Sequence, residues 1–98
     1  MEIDLQPAHR QYVEKILSEA GLLEYTFVFG SRAQGKAKKY SDLDLLIKSP
    51  EKIEYKALLN LKEEFEESNL PFKVDIVDWH GLTSAFKEEF MKTAIKLI

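Results

Sequence analysis

The sequence contains no cysteine. Disulfides, thiol nucleophiles and thiolate metal sites are excluded together, and a reduced compartment, the cytoplasm, is expected. It has only two histidines, His9 and His80, far apart, so a histidine-based metal centre is not expected either. There is no excess of positive charge. Fourteen Lys and Arg face 17 Asp and Glu, for a net charge of −3, which argues against a general nucleic-acid binder, because phosphate backbones reward clustered bases. No apolar run approaches the roughly 20 residues that span a bilayer. The first residues, Met1 to Leu5, lack the basic start and apolar core of a secretory signal. No membrane association is expected.

What is present is ordinary for one soluble globular domain, expected to span 1–98: 45% hydrophobic and 32% charged residues, without repeats or low-complexity tracts. Val13, Ile16, Leu17 and Ala20 follow helical spacing, with Pro7 near the start and Gly21 as a stop. Tyr25 to Phe29 is aromatic and β-branched and reads as a strand closed by Gly30. A polar stretch, Ser31 to Ser41, leads into a second strand over 42–47. Ser49-Pro50 punctuates the chain. Tyr55, Leu58, Leu59, Leu61 and Phe65 then mark an amphipathic helix over about 53–68. Phe72 to Val77 reads as a third strand, and Leu82, Phe86, Phe90, Ala94 and Leu97 as a last helix. This order predicts an α/β fold, a small mixed β-sheet with helices packed on it.

Three features point to chemistry. Gly30-Ser31 follows a strand, where glycine lets the backbone approach a ligand and the next amides can face an anion. The plain alternative is a strand-to-helix turn capped by Ser31. Asp42 and Asp44 stand two apart at the head of a strand, and so on one face. Paired carboxylates there repel each other unless a divalent cation such as Mg²⁺ sits between them. The plain alternative is an acidic strand face. Asp75 lies among apolar residues in the third strand. Its plain alternative is an edge charge opposing aggregation.

Topology joins the three. A strand–helix–strand unit over 42–77 makes its two strands parallel. Asp42, Asp44 and Asp75 then fall at the same end of the sheet. A short turn allows the first strand to run antiparallel, which brings Gly30-Ser31 to that edge. A metal-binding half beside a phosphate-binding half suggests two-metal phosphoryl or nucleotidyl transfer, with two Mg²⁺ ions about 3.5–4 Å apart. Asp75 is the candidate to help deprotonate an acceptor hydroxyl. Arg32 can reach a phosphate, or can be a solvated loop arginine. Lys36, Lys38 and Lys39 can assist capture of a nucleotide or simply be solvated. Trp79 and His80 read as core, partner-surface or capping residues.

The run Gly30-Ser31-Arg32-Ala33-Gln34-Gly35, then Ser41-Asp42-Leu43-Asp44-Leu45, with Asp75 later, resembles the minimal nucleotidyltransferases of the DNA polymerase beta superfamily. The match spans Phe27 to Asp78. The resemblance implies a palm-like nucleotidyltransferase fold and transfer of a nucleoside monophosphate, AMP from ATP. It implies Asp42, Asp44 and Asp75 as catalytic metal ligands, with Gly30, Ser31 and Arg32 at the nucleotide phosphates. Larger members append domains that hold a template, a tRNA or an antibiotic, whereas this sequence closes on its last helix. Small stand-alone members occur beside helical HEPN-domain proteins and act as their antitoxins. The implied acceptor is therefore a hydroxyl on such a partner, a tyrosine, within a hetero-oligomer. Two rivals follow from the same residues. One is a non-catalytic subunit that neutralises its partner by contact, and the other is half of a split transferase acting on a small molecule.

Overall fold

A computed structural model describes residues 3–98. The first helix, α1 (Pro7–Glu19), starts on a proline, whose missing N–H costs nothing in the first turn. It buries Val13, Ile16 and Leu17, one face of a 3.6-residue period. A Schellman motif ends it. Gly21 adopts φ +74°, its N–H donates to the Ser18 carbonyl, and the Leu22 N–H donates to the Leu17 carbonyl.

Strand β1 (Thr26–Phe29) follows. A short 3₁₀ turn over Gly30–Arg32 and an irregular loop lead to β2 (Leu43–Ile47). Helix α2 (Tyr55–Glu66) crosses to β3 (Val74–Asp78), which lies parallel to β2. Helix α3 (Ser84–Thr93) begins at Thr83, whose side chain accepts the Phe86 N–H. A last short strand, β4 (Ile95–Lys96), completes a sheet of order β3-β2-β1-β4, with β1 antiparallel to both neighbours. The strand–helix–strand reading and the mixed sheet are thus borne out.

Alternation sorts the two faces of the sheet. Val28, Leu43, Leu45, Ile47 and Ile76 join Val13, Ile16 and Leu17 of α1 and Leu61 and Phe65 of α2 in the main core. The opposite face carries Phe27, Phe29, Asp44, Leu46, Asp75 and Val77, in line with the strand register. There α3 lays Phe90 against Phe29, with ring centroids 4.6 Å apart. Tyr55, the first residue of α2, and Leu59 do not join its core face and are exposed; Leu59 is rotated about 100° from Leu58. Among the described residues no helix is long and apolar enough to cross a membrane.

One element departs from the sequence reading. The last helix stops at Thr93 and does not extend through Ala94 to Leu97. Ala94 is extended (φ −68°, ψ 138°), and Ile95–Lys96 form a short strand, β4, on the free edge of β1. Leu97 is fully buried, and its N–H donates to the Thr26 carbonyl. Without β4, β1 would be an open edge with unpaired backbone groups, and the apolar end of the chain satisfies them.

Candidate active site

The register places the carboxylates in one row. Phe29 pairs with Asp44, and Asp44 pairs with Asp75. Cross-strand partners share a face, so Asp44 and Asp75 stand side by side, with the end of β1 and Gly30 next to them. Asp42 lies one residue ahead of β2 and is exposed. It is still close enough to act on Asp44, whose pKa is raised from the ordinary value of 3.8. Burial is the largest cause, followed by the charges of Asp75 and then Asp42. The three sequence segments do converge on one edge of the sheet.

Gly30 is shaped to that row. It holds φ +74°, a backbone region that disfavours side chains. A Cβ placed there would collide with Oδ2 of Asp44, with the carboxylate carbon only 3.3 Å away. The backbone turn therefore presses directly against the central carboxylate. Ser31 follows in the same 3₁₀ turn, half-buried, and its carbonyl accepts the Gln34 and Lys36 N–H groups. That closes the loop back on itself and leaves the first amides of the turn outside its internal bonding.

Beside the row lies a cavity of about 670 Å³, whose lining includes Phe29, Asp44, Asp75 and Phe90 together with Lys62, Phe65, Leu70 and Phe72. Lys73 pairs with Asp75 at 3.6 Å. Neither Lys73 nor the Phe29–Phe90 pair was singled out from the sequence. A signal for Lys73 existed: at i−2 in a strand it shares the face of Asp75. Phe90 lay in plain view as a helix residue, but its meeting with Phe29 depends on how α3 folds back.

Arg32, expected at the nucleotide phosphates, has its guanidinium turned into the chain. Its side chain is buried, and four hydrogen bonds go to backbone carbonyls: Nε and Nη2 to Ser41 (3.1 and 2.9 Å), Nη1 to Asp4 (2.8 Å) and Nη2 to Lys39 (3.4 Å). The guanidinium also lies 4.4 Å from the Phe72 ring centroid. With four of five N–H donors spent, little remains for a nucleotide. The solvated-loop reading does not hold, because the side chain is buried.

The residues suit a hard divalent cation. The donors are all carboxylate oxygens, the set Mg²⁺ takes. Asp44 is held beside two like charges and, among the described residues, has no basic partner of its own, and Gly30 forms a cradle that any side chain would fill. Among the described residues, no three carboxylate or histidine side chains are gathered closely enough to form a ready-made metal cage.

This fold and site define a nucleotidyltransferase. The family model described as "Polymerase beta, Nucleotidyltransferase" matches residues 11–98, and the chain belongs to that family. It is 42% identical over 95 residues to the probable protein adenylyltransferase MntA of Haemophilus influenzae, covering 96% of this chain and 82% of that protein. Two solved structures share the fold. A toxin–antitoxin structure with AMP-PNP matches with a TM-score of 0.74 at 22% identity, over 91% of this chain and 72% of its own. A complex of tri-AMPylated Shewanella oneidensis HEPN toxin with an MNT antitoxin matches with a TM-score of 0.64 at 20% identity, over 91% and 71%.

Proposed function

We propose that this nucleotidyltransferase moves AMP from ATP to a hydroxyl on a protein, a tyrosine of a helical HEPN-type partner, and so acts as the antitoxin of a toxin–antitoxin pair. The observation that carries the chemistry is the Phe29–Asp44–Asp75 row with Gly30 against Asp44. The acceptor rests on the relatives: one is named for protein adenylylation, and another is a structure with an AMPylated HEPN toxin. Absence of cysteine and a net charge of −3 suit work in the cytoplasm on a protein and not on nucleic acid.

Asp42, Asp44 and Asp75 would hold Mg²⁺, as two ions. When bound, Mg²⁺ supplies neutralising charge to the phosphate oxygens and to the departing pyrophosphate. The chain's own groups do the rest. The turn at Gly30-Ser31 offers amides and a hydroxyl to the triphosphate tail. Phe29 and Phe90 wall the cavity with apolar surface beside the carboxylates, where excluding water strengthens charge interactions. Asp75 accepts the proton of the attacking hydroxyl. That oxygen forms a bond to the α-phosphorus as the bond from phosphorus to the pyrophosphate oxygen breaks, and pyrophosphate leaves.

The test is transfer of label from α-labelled ATP to the co-purified helical partner in the presence of Mg²⁺. Asp42→Asn and Asp44→Asn should each abolish labelling. Full labelling by both variants would overturn the metal-ligand assignment. Label appearing in a soluble compound would overturn the protein acceptor. A triple carboxylate variant that silences the partner as well as wild type does would show an antitoxin acting by contact.

A further inference from the structure

From the contacts of Arg32 we infer that this residue is a positioning residue for Asp42: its buried guanidinium clamps the Ser41 carbonyl and thereby sets where the next residue presents its carboxylate at the site. The inference rests on the reading of Asp42 as a metal ligand.

Asp42 is exposed and lies outside β2, so no ladder bond of the strand and no packing holds it. What flanks it is fixed. On its C-terminal side the Leu43 N–H donates to the Lys73 carbonyl at 2.8 Å. On its N-terminal side the Ser41 carbonyl accepts two bonds from one guanidinium, Nε at 3.1 Å and Nη2 at 2.9 Å. The peptide between Ser41 and Asp42 is therefore gripped at its oxygen. The loop behind it is closed by the Ser41 N–H on the Lys38 carbonyl and by the Lys38 N–H on Ser41 Oγ.

The clamp is itself anchored to three separated parts of the chain. Arg32 sits in the turn that carries Gly30 and Ser31. Its Nη1 donates to the Asp4 carbonyl while its own carbonyl accepts the Asp4 N–H at 2.7 Å. Its flat face lies on Phe72, just ahead of the strand that carries Asp75. One planar, always-charged group thus ties the phosphate-side turn, the Asp42 loop and the approach to Asp75 into one body. A lysine cannot reproduce this, because its ammonium is a point donor without a face or a fork.

The test uses the whole chain and Mn²⁺ alone as the probe, read by electron paramagnetic resonance, with amide hydrogen exchange at Ser41 to Leu43 as a second readout. The variants are Arg32→Lys, Arg32→Ala and, as a control, Asp42→Asn. Thermal melts establish the fraction folded at the assay temperature. Arg32→Lys is expected to bind Mn²⁺ about 10- to 100-fold more weakly, the usual range for groups that orient a metal ligand, with faster exchange confined to the 41–43 segment. Added guanidinium, well below denaturing concentration, is expected to restore affinity to Arg32→Ala and not to Asp42→Asn. Wild-type Mn²⁺ affinity in folded Arg32→Lys, beside lost affinity in Asp42→Asn, would overturn the positioning role. Wild-type affinity in Asp42→Asn would instead overturn the metal-site reading on which it rests. If both Arg32 variants fail to fold, guanidinium-dependent recovery of affinity in Arg32→Ala decides the case: recovery of fold without affinity overturns the proposal.

Discussion

Replacing Gly30 by alanine tests the site by its steric fit, with a control built into the same chain. Gly21 and Gly30 share the same backbone angle, φ +74°. A Cβ at Gly21 meets nothing within 4 Å, whereas one at Gly30 strikes the Asp44 carboxylate. Gly21→Ala should therefore show the backbone cost alone, about 1–2 kcal/mol. Gly30→Ala carries that cost plus the displacement of Asp44, and the neighbouring strand gives little room because Leu43 and Leu45 on either side are fully buried. The stability difference between the two variants is the expense of the collision, measured by urea unfolding. Activity should separate them further. A displacement on the order of 1 Å at a reacting centre can lower the rate about 100-fold, so Gly30→Ala should lose nucleotidyl transfer by about that factor while Gly21→Ala keeps it. In the double variant Gly30→Ala/Asp44→Ala the destabilisation should shrink toward the Gly21→Ala value. Equal destabilisation by both glycine replacements, together with wild-type transfer by Gly30→Ala, would refute the proposed fit.

The remaining predictions concern charge and the closing strand. Asp44 has a folded-state pKa raised by burial, then by Asp75 and Asp42, so the folded chain binds a proton more readily than the unfolded one. Its protonation favours folding at pH below the ordinary value of 3.8, and that contribution is lost as pH rises through the raised pKa. In metal-free protein Asp44→Asn should therefore unfold at a higher urea midpoint than wild type at neutral pH, and the gap should close as pH falls; a lower midpoint at neutral pH would contradict the assigned cause. Metal binding needs the ionised group, so affinity for Mn²⁺ should weaken on acidification from above the ordinary carboxylate range, measured by titrating the metal-free protein at a series of pH values. Leu97 is fully buried beside the short closing strand, so Leu97→Ala should cost about 2–5 kcal/mol in urea unfolding, well beyond the effect of replacing the exposed Ile98.

Much of the fold was legible because it is written in local periodicities. Helix α1 shows its buried Val13, Ile16 and Leu17 as a 3.6-residue stripe, and β1 and β2 show theirs as short β-rich runs. The carboxylate row was also within reach. Two strands joined by a helix run parallel, so Asp44 and Asp75 had to share an end of the sheet. The misreadings have a common origin. Phe86, Phe90, Ala94 and Leu97 repeat at intervals of three or four and look like one helix, but the edge of β1 competes for the last residues. Strand pairing wins there, because an unpaired edge is a non-local demand that no window of sequence contains.

The sequence by itself determined the order of elements, the parallel direction of β2 and β3, and so the gathering of Asp42, Asp44 and Asp75 at one end of the sheet, and it allowed Gly30 to join them; each follows from spacing along the chain. Only the tertiary structure decided three further points: the register that sets Asp44 opposite Asp75, the addition of β4, and the use of Arg32. The reason is the same in each case. Backbone carbonyls are identical at every position, so which of them a buried arginine or an open strand edge will meet depends on distant segments coming together. Arg32 finds Asp4 across 28 positions of sequence, and nothing about an arginine after Gly30-Ser31 distinguishes a phosphate ligand from a clamp on the chain itself.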